Sequence, residues 1–243
     1  MLYKIKRSFI RYTGLTILCA ALAMPASAQI GPEIGLNMAD LSLKNNGNTV
    51  HTGFKPGVGL GLSVDIPFSD HVYFQPGIFY EMTGCKITDQ PTGKYNINTL
   101  TFPLNFEYKT GEKCGKRFFF GGGPFIGVNN SASYDFNDYG AIPSVSGVFK
   151  IGSTANVDNL KQIDYGLGVN VGYILRNHLY ARLHYQLGLA ELNPAGNDKN
   201  SIKSSGAGIT IGFLFVRCGS SRTMQGFKRT KSDHWKGVKK LRY

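Results

Sequence analysis

The chain has 243 residues and a formal net charge of +12. This charge is concentrated at the two ends: residues 1–28 contain four basic and no acidic residues, and residues 219–243 contain eight basic residues against Asp233. The body between them is nearly neutral, which excludes a nucleic-acid-binding surface there. Three of the four cysteines lie in the body without a C-x-x-C pair, so they indicate neither a zinc site nor a disulfide framework.

The first 28 residues have the form of a cleaved export signal. Basic residues near the N-terminus precede an apolar stretch at residues 13–24 and an A-x-A cleavage site at residues 26–28. The apolar stretch is too short to span a bilayer as a helix, and no later stretch approaches about 18 consecutive apolar residues. Any membrane crossing must therefore use strands.

Beyond the signal, eight segments alternate between apolar and polar residues, as strands with two different faces do. In chain order, the predicted strands are about Ile30–Ala39, Phe54–Ile66, His71–Thr83, Tyr95–Lys109, Arg117–Asn129, Leu160–Leu175, His178–Ala190 and Lys203–Arg217. The predicted connections alternate between long and short, and the longest irregular stretch is about residues 130–159. This pattern predicts an all-β fold, an eight-stranded antiparallel up-and-down transmembrane β-barrel, with short periplasmic turns and longer outside loops.

The seventh predicted strand, HLYARLHYQLGLA, distinguishes the two faces most clearly. Leucine, alanine and tyrosine occupy one parity, whereas Arg182 and His184 occupy the other. Because glycine is concentrated on the polar parity of the strands, we assign that parity to a narrow lumen and the apolar parity to lipid. The residues predicted to face lipid include Leu183, Tyr185, Leu187, Ile211, Phe213 and Phe215. The alternative is a soluble β-sandwich or lipocalin-like barrel that binds a ligand, in which the apolar parity would point inward.

Charged and titratable residues recur on the inward parity. They are Glu33, Lys55, Asp65, Glu81, Glu107, Arg117, Asp164, Arg182 and His184. Because a buried charge persists only when it is paired, we expect a lumen ion-pair network. Its predicted members are Glu33, Glu81, Glu107, Asp164, Arg182 and His184. Arg182 is predicted to pair with Glu107, Glu81 or Asp164. A small-solute channel lined by the same groups is the alternative.

The sequence lacks the patterns that catalysis or metal binding would require. No Gly-x-Ser-x-Gly or His-x-x-x-His pattern stands out, so we predict no enzyme and no cofactor. Asp135 and Asp138 lack the glycine and terminal glutamate of a calcium loop, so we predict no metal site.

Two further regions suggest contacts with partners. The aromatic residues Tyr134, Phe136 and Tyr139 fall in the longest predicted loop and are candidate contacts to a protein, unless they pack within the loop or against the rim. The basic tail, residues 218–243, is predicted to be disordered. Binding of anionic lipid head groups or of cell-wall polymer is the functional alternative for the tail.

Several motifs taken together resemble those of a known family. They are IGPEIGLNMADLS, DIPFSD followed by FQPG, LTFPL, FFFGGGPFIGV and GAGITIGFLF, spread over about residues 30–216. On these motifs the chain resembles the PorT-like outer-membrane β-barrel family of Bacteroidetes-type bacteria. The resemblance implies a barrel at residues 29–217 that is inserted into outer membrane lipids by the general outer membrane assembly machinery.

What the resemblance implies about function is broad. Most members have no known activity, and one branch assists a protein-secretion pathway. We therefore expect a structural or interaction role, as an accessory to protein secretion or envelope assembly. Its partners are expected at the outer loops or the periplasmic turns.

Overall fold

The computed structural model describes residues 28–112, 115–140, 143–154, 157–196 and 199–215. The predicted signal peptide lies outside these residues except for Ala28, and the predicted tail, residues 218–243, lies wholly outside them. Cys114 and Cys218 also fall outside the described residues. Within the described part of the chain, no helix is long and apolar enough to cross a membrane.

In the described ranges, eight long antiparallel strands form a closed barrel, which confirms the predicted fold. In chain order they are β1 (Gln29–Asn45), β2 (Lys55–Pro67), β3 (Val72–Ile87), β4 (Gly93–Lys109), β5 (Arg117–Phe136), β6 (Ile163–Ile174), β7 (Leu179–Gly188) and β8 (Ser201–Phe213). Each strand pairs with the next along the chain. β1 closes the ring by pairing with β8, in a register that runs from Glu33–Gly212 to Lys44–Ser201.

The two ends of the barrel differ in their connections. Three connections, 68–71, 110–116 and 175–178, lie at the end that we call the turn end. The other four connections, 46–54, 88–92, 137–162 and 189–200, lie at the opposite end, which we call the loop end. The first residue of β1 and the last residue of β8 both lie at the turn end, as an even number of antiparallel strands requires.

Over most of the wall, apolar side chains point outward and polar side chains point inward. On β1, Ile34 and Leu36 are 66% and 68% exposed, whereas Glu33 and Asn37 are buried in the lumen. The residues predicted to face lipid follow the same rule. Leu183, Tyr185, Leu187, Ile211 and Phe215 are exposed, and Phe213 is half-buried beside the rings of His178 and Phe215.

Close to the loop end the two faces exchange their polarity, so that apolar side chains point inward and polar side chains point outward. On β1, Leu41 and Leu43 are buried inside the barrel, whereas Ser42 and Lys44 are exposed on its outer surface. Lys86 is exposed at the corresponding level of β3. Here the wall has the polarity of a water-soluble barrel, so the outward apolar band stops just before residue 41 on β1.

Several strands run further toward the loop end than predicted. β1, β3 and β5 each continue for several residues, and β5 occupies the first part of the stretch predicted to be irregular. A short strand, Val145–Val148, pairs with the end of β5, so the prediction of an irregular stretch at 130–159 is wrong in these two places. In these extensions the strands still alternate, but the apolar side chains point inward and the polar ones outward. On β5, a bulge opposite Asn98 and Thr99 also shifts by one residue which positions face inward.

Apolar side chains fill the loop end of the barrel. We call this group the loop-end cluster; its buried members are Leu41, Leu43, Cys85, Ile87, Ile97, Ala132, Leu160, Ala190 and Leu192. Tyr95, Phe136 and Phe149 pack against it. The cluster closes the lumen toward the loops.

Aromatic side chains occupy the outer surface near the turn end. Phe68, Phe74 and Phe106 contact one another, and Tyr108, Phe118 and Phe120 form a second group, with ring centroids 5.1–6.4 Å apart. Belts of aromatic residues flank the apolar band of membrane barrels. These two groups therefore mark the boundary of the apolar band at the turn end.

Candidate functional site

Five buried charged residues form a continuous chain of ion pairs in the turn-end half of the lumen. Arg182 Nη1 lies 2.9 Å from Glu33 Oε2, and Arg182 Nη2 lies 3.4 Å from Glu107 Oε1. Glu107 Oε2 lies 3.0 Å from Lys109 Nζ, which also contacts Asp65. We call these five residues the lumen ion-pair cluster. Because each charged group contacts an opposite charge at short range, these contacts offset the free-energy cost of burying the five side chains.

Neutral side chains complete the contacts of the lumen ion-pair cluster. The amide of Gln75 donates to Asp65 Oδ1 at 2.6 Å and accepts a hydrogen bond from Arg182. Lys109 Nζ lies 5.0 Å from the centre of the Tyr73 ring, and the Arg182 guanidinium lies 5.6 Å from that of Phe119. Packed rings and ion pairs together fill this part of the lumen.

Arg117 extends the polar packing to the turn end itself. Its guanidinium donates to Tyr73 Oη at 2.9 Å and to the carbonyl oxygens of Asp70 and Lys109. Lys55, by contrast, lies near the loop end of β2, is half-buried, and donates to the carbonyl oxygen of Thr83. These two residues of the inward parity therefore lie near opposite ends of the barrel.

The predicted ion-pair network is wrong for three of its six members. In the described part of the chain, Glu81, Asp164 and His184 form no salt bridge. Glu81 accepts a hydrogen bond from Thr101 Oγ1, and Asp164 accepts one from Ser204 Oγ. His184 Nδ1 lies 3.4 Å from Thr210 Oγ1.

The tilt of the strands explains why Glu81 does not pair with Arg182. The paired residues that start at Arg182 run through Thr210, Gly35 and Gly59 to Glu81, so parity and register place Glu81 in the row of Arg182. Because barrel strands are inclined to the axis, such a row changes height as it passes around the barrel. Arg182 therefore meets Glu33, two residues nearer the turn end than Gly35 on β1, rather than Glu81.

Two members of the lumen ion-pair cluster lie outside the predicted network: Asp65, which is among the residues predicted on the inward parity, and Lys109, which is not. Lys109 is the last residue of β4, and its side chain is almost completely buried. Lys109 lies two residues after Glu107 on the same strand and therefore faces the same side. This spacing is the sequence signal that would have placed Lys109 in the lumen. A lysine at a predicted strand end normally reaches water, and only the closed barrel shows that it turns inward.

Between the lumen ion-pair cluster and the loop-end cluster, the lumen contains small polar cavities. Two of them measure about 50 and about 40 Å³. Asn37, Asp164 and Asn170 each have a buried side-chain atom without a hydrogen-bond partner within the described residues. The cavities are large enough for a few water molecules, which would satisfy such atoms.

Two of the three aromatic candidates for outside contacts lie in the wall. Tyr134 and Phe136 belong to β5 and are half-buried, and the Tyr134 ring packs 5.1 Å from that of Phe149. They therefore pack against the rim. Tyr139 lies beyond the strand and is 49% exposed.

The described residues show little other site chemistry. They contain no group of three or more His, Cys, Asp or Glu side chains that could hold a metal ion. Cys85 is a free thiol buried in the loop-end cluster. A Cβ added to Gly121 or Gly123 would lie about 2 Å from a carbonyl oxygen of β4, so this glycine run permits a close approach of two strands.

Comparison with known proteins gives one family. The family model described as "Outer membrane protein beta-barrel domain" matches residues 22–193, which is well over half of the chain. No curated protein matches the chain.

Solved structures with a similar fold are outer membrane barrels. Neisserial surface protein A is 11% identical, with 77% of this chain and 97% of that chain covered and a TM-score of 0.40. The outer membrane protein OprG from Pseudomonas aeruginosa is 15% identical, with 79% and 98% covered and a TM-score of 0.45. Ail, the attachment invasion locus protein of Yersinia pestis, is 12% identical, with 78% and 99% covered and a TM-score of 0.35.

Proposed function

Because the chain belongs to the outer membrane protein β-barrel domain family, we propose that it is a non-conducting barrel with a structural or interaction role in the outer membrane. An accessory role in protein secretion or envelope assembly is the form of this role that the PorT-like motifs suggest. The turn end then faces the periplasm and the loop end faces the outside.

The observation that carries this proposal is the filling of the lumen. The lumen ion-pair cluster occupies its periplasmic half, and the loop-end cluster occupies its outer end. An eight-stranded barrel is only wide enough for its own side chains, so these two groups leave no room for a solute. The arrangement favours a structural role over the small-solute channel.

We expect the folded protein to give no steady conductance in planar lipid bilayers. The ion pairs would have to separate in a low-dielectric lumen before an ion could pass, and the apolar loop-end cluster adds a second barrier. Single-channel recording measures this directly, with heat-modifiable gel migration as the check that the inserted protein is folded. A stable ohmic current from folded wild-type protein would support the channel instead.

The same proposal places protein partners at the loop end. Tyr139 and Val148 are exposed there and lie beyond the outward apolar band. Photo-crosslinking residues at these two positions should give protein adducts in the native envelope. A photo-crosslinking residue at Leu183, which lies within the apolar band, is the matched control and should give lipid adducts only. Protein adducts at none of the positions would argue against an interaction role through the loops.

The contacts of the lumen side chains also support a role without catalysis. The carboxylates of the lumen ion-pair cluster are occupied by Arg182, Lys109 and Gln75. His184, two residues from Arg182 on β7, is half-buried in mid-strand and has Thr210 as its hydrogen-bonding neighbour. A nucleophile, a base and an orienting carboxylate at one accessible rim would be needed for a hydrolase.

A further inference from the structure

Lysine side chains recur on the outer surface of the barrel just beyond the apolar band. In the described ranges, Lys44, Lys86, Lys94 and Lys203 are exposed and lie on the outward parity of β1, β3, β4 and β8. They occupy the level at which the outer surface changes from apolar to polar. With the loop end facing the outside, as proposed above, this is the level of the head groups of the outer leaflet. Below this level, the outward parity of the same strands is predominantly apolar.

The first pair is Lys86 and Lys94. These residues are direct partners in the antiparallel register of β3 and β4, so their Cβ atoms are about 5 Å apart. Like charges directly opposite one another destabilise a sheet unless an anion lies between them. The two side chains also line a depression of about 420 Å³, to which Thr88 and Thr92 contribute.

The second pair is Lys44 and Lys203. Ser42 is paired with Lys203, and Lys44 is paired with Ser201, so the two lysines are diagonal neighbours on β1 and β8. They line a second depression, of about 780 Å³, together with both serines. Each depression therefore combines two ammonium groups with two hydroxyl-bearing residues and one carboxylate.

One acidic side chain lies beside each pair: Asp135 lines the first depression and is paired with Lys94, and Glu191 lines the second. Asp135 lies 3.6 Å from Lys94, an exposed ion pair, and also accepts a hydrogen bond from Asn96. Glu191 lines the second depression, but its two carboxylate oxygens accept hydrogen bonds from Ser201 Oγ and from the backbone N–H groups of Asn193 and Ile202. The salt bridges of the described residues include none for Lys44, Lys86 or Lys203.

We propose that the two lysine pairs are binding sites for the phosphate groups of an outer-leaflet glycolipid. A phosphate carries the negative charge that would relieve the repulsion within each pair, and its oxygens accept charge-assisted hydrogen bonds. Basic residues at the surface of an anionic membrane contribute about 1 kcal/mol each. Because the acyl chains of such a lipid would lie along the apolar band below, head group and tails would contact the same strands.

The test measures binding of lipid A carrying its phosphates to the folded protein in zwitterionic detergent micelles. The two double variants are Lys86→Gln/Lys94→Gln and Lys44→Gln/Lys203→Gln. Each is expected to weaken one of the two sites and to leave the other unchanged. Loss of two lysines is expected to weaken binding at a site about 30-fold, the equivalent of about 2 kcal/mol. The charge-preserving variant Lys86→Arg/Lys94→Arg should bind as the wild type does, and so should Lys116→Gln, which removes an exposed lysine at the turn end.

Three results would overturn the proposal. The first is equal binding of lipid A and of the same lipid after enzymatic removal of its phosphates. The second is unchanged binding by the protein that carries all four glutamine substitutions. The third is competition by inorganic phosphate at the concentration at which lipid A binds, which would assign the sites to free phosphate rather than to a lipid. Heat-modifiable gel migration shows that each variant is folded before its binding is measured.

Discussion

Replacing Arg182 by alanine is expected to destabilise the barrel by about 3–5 kcal/mol. Its guanidinium contacts both Glu33 and Glu107, which are buried in the lumen. Without it, Glu33 would keep a buried charge with no cation in contact, whereas Glu107 would still face Lys109. Equilibrium unfolding by urea, with the protein reconstituted in lipid vesicles, measures the change in the free energy of unfolding.

Further variants distinguish whether Arg182→Ala lowers the stability by leaving an unpaired charge or by removing packing contacts. The double variant Arg182→Met/Glu33→Gln removes the charge that Arg182→Ala leaves behind, so it should recover part of the lost stability. Arg176→Ala makes the same single substitution at an exposed position in the turn 175–178, and should change stability by less than about 0.5 kcal/mol. If Arg182→Ala and Arg176→Ala unfold at the same urea concentration, the lumen ion-pair cluster does not stabilise the barrel.

Replacing Leu183 by arginine is expected to cost about 2–4 kcal/mol. Leu183 is 54% exposed on the outer surface of β7, and its partners in the register are Val171 and Ile209. All three side chains lie in the outward apolar band, so the guanidinium would have to enter hydrocarbon or displace the surrounding lipid. Urea unfolding in vesicles again gives the free energy.

The matched control for Leu183→Arg is Ser42→Arg. Ser42 is exposed on the outward parity of β1, but beyond the level at which the two faces exchange their character. An arginine there would reach the head groups and water, and the expected cost is about 0–1 kcal/mol. Equal costs at the two positions would mean that the apolar surface around Leu183 is not in contact with hydrocarbon.

The sequence predicted the polar side chains of the lumen better than their partners. Parity placed Glu33, Glu107 and Arg182 on the inner face, and the structure joins these three residues by ion pairs. It also placed Glu81 there, but parity carries no information on height along the barrel axis. Height follows from strand tilt, which depends on the register of all the strands together.

At the loop end, the predicted orientation of the side chains was wrong for a different reason. The expectation of apolar residues outside and polar residues inside applies only within the membrane. Beyond it, Leu41 and Leu43 turn inward and Lys44 turns outward, which is the arrangement of a soluble barrel. The change from apolar side chains outside to apolar side chains inside can be recognised in the sequence once the position of the membrane boundary on each strand is known. The pairing of neighbouring strands around the barrel gives that position.

By itself, the sequence determined the number of long strands, their alternation and, over most of the wall, the face on which the side chains lie, because a strand repeats every two residues wherever it is placed. Only the tertiary structure decided which charges meet. Arg182 and Glu33 are 149 residues apart in the chain and come together because β8 closes the ring onto β1. The physical reason is that facing inward is a local property of the backbone, whereas partnership across a lumen depends on closure, register and tilt.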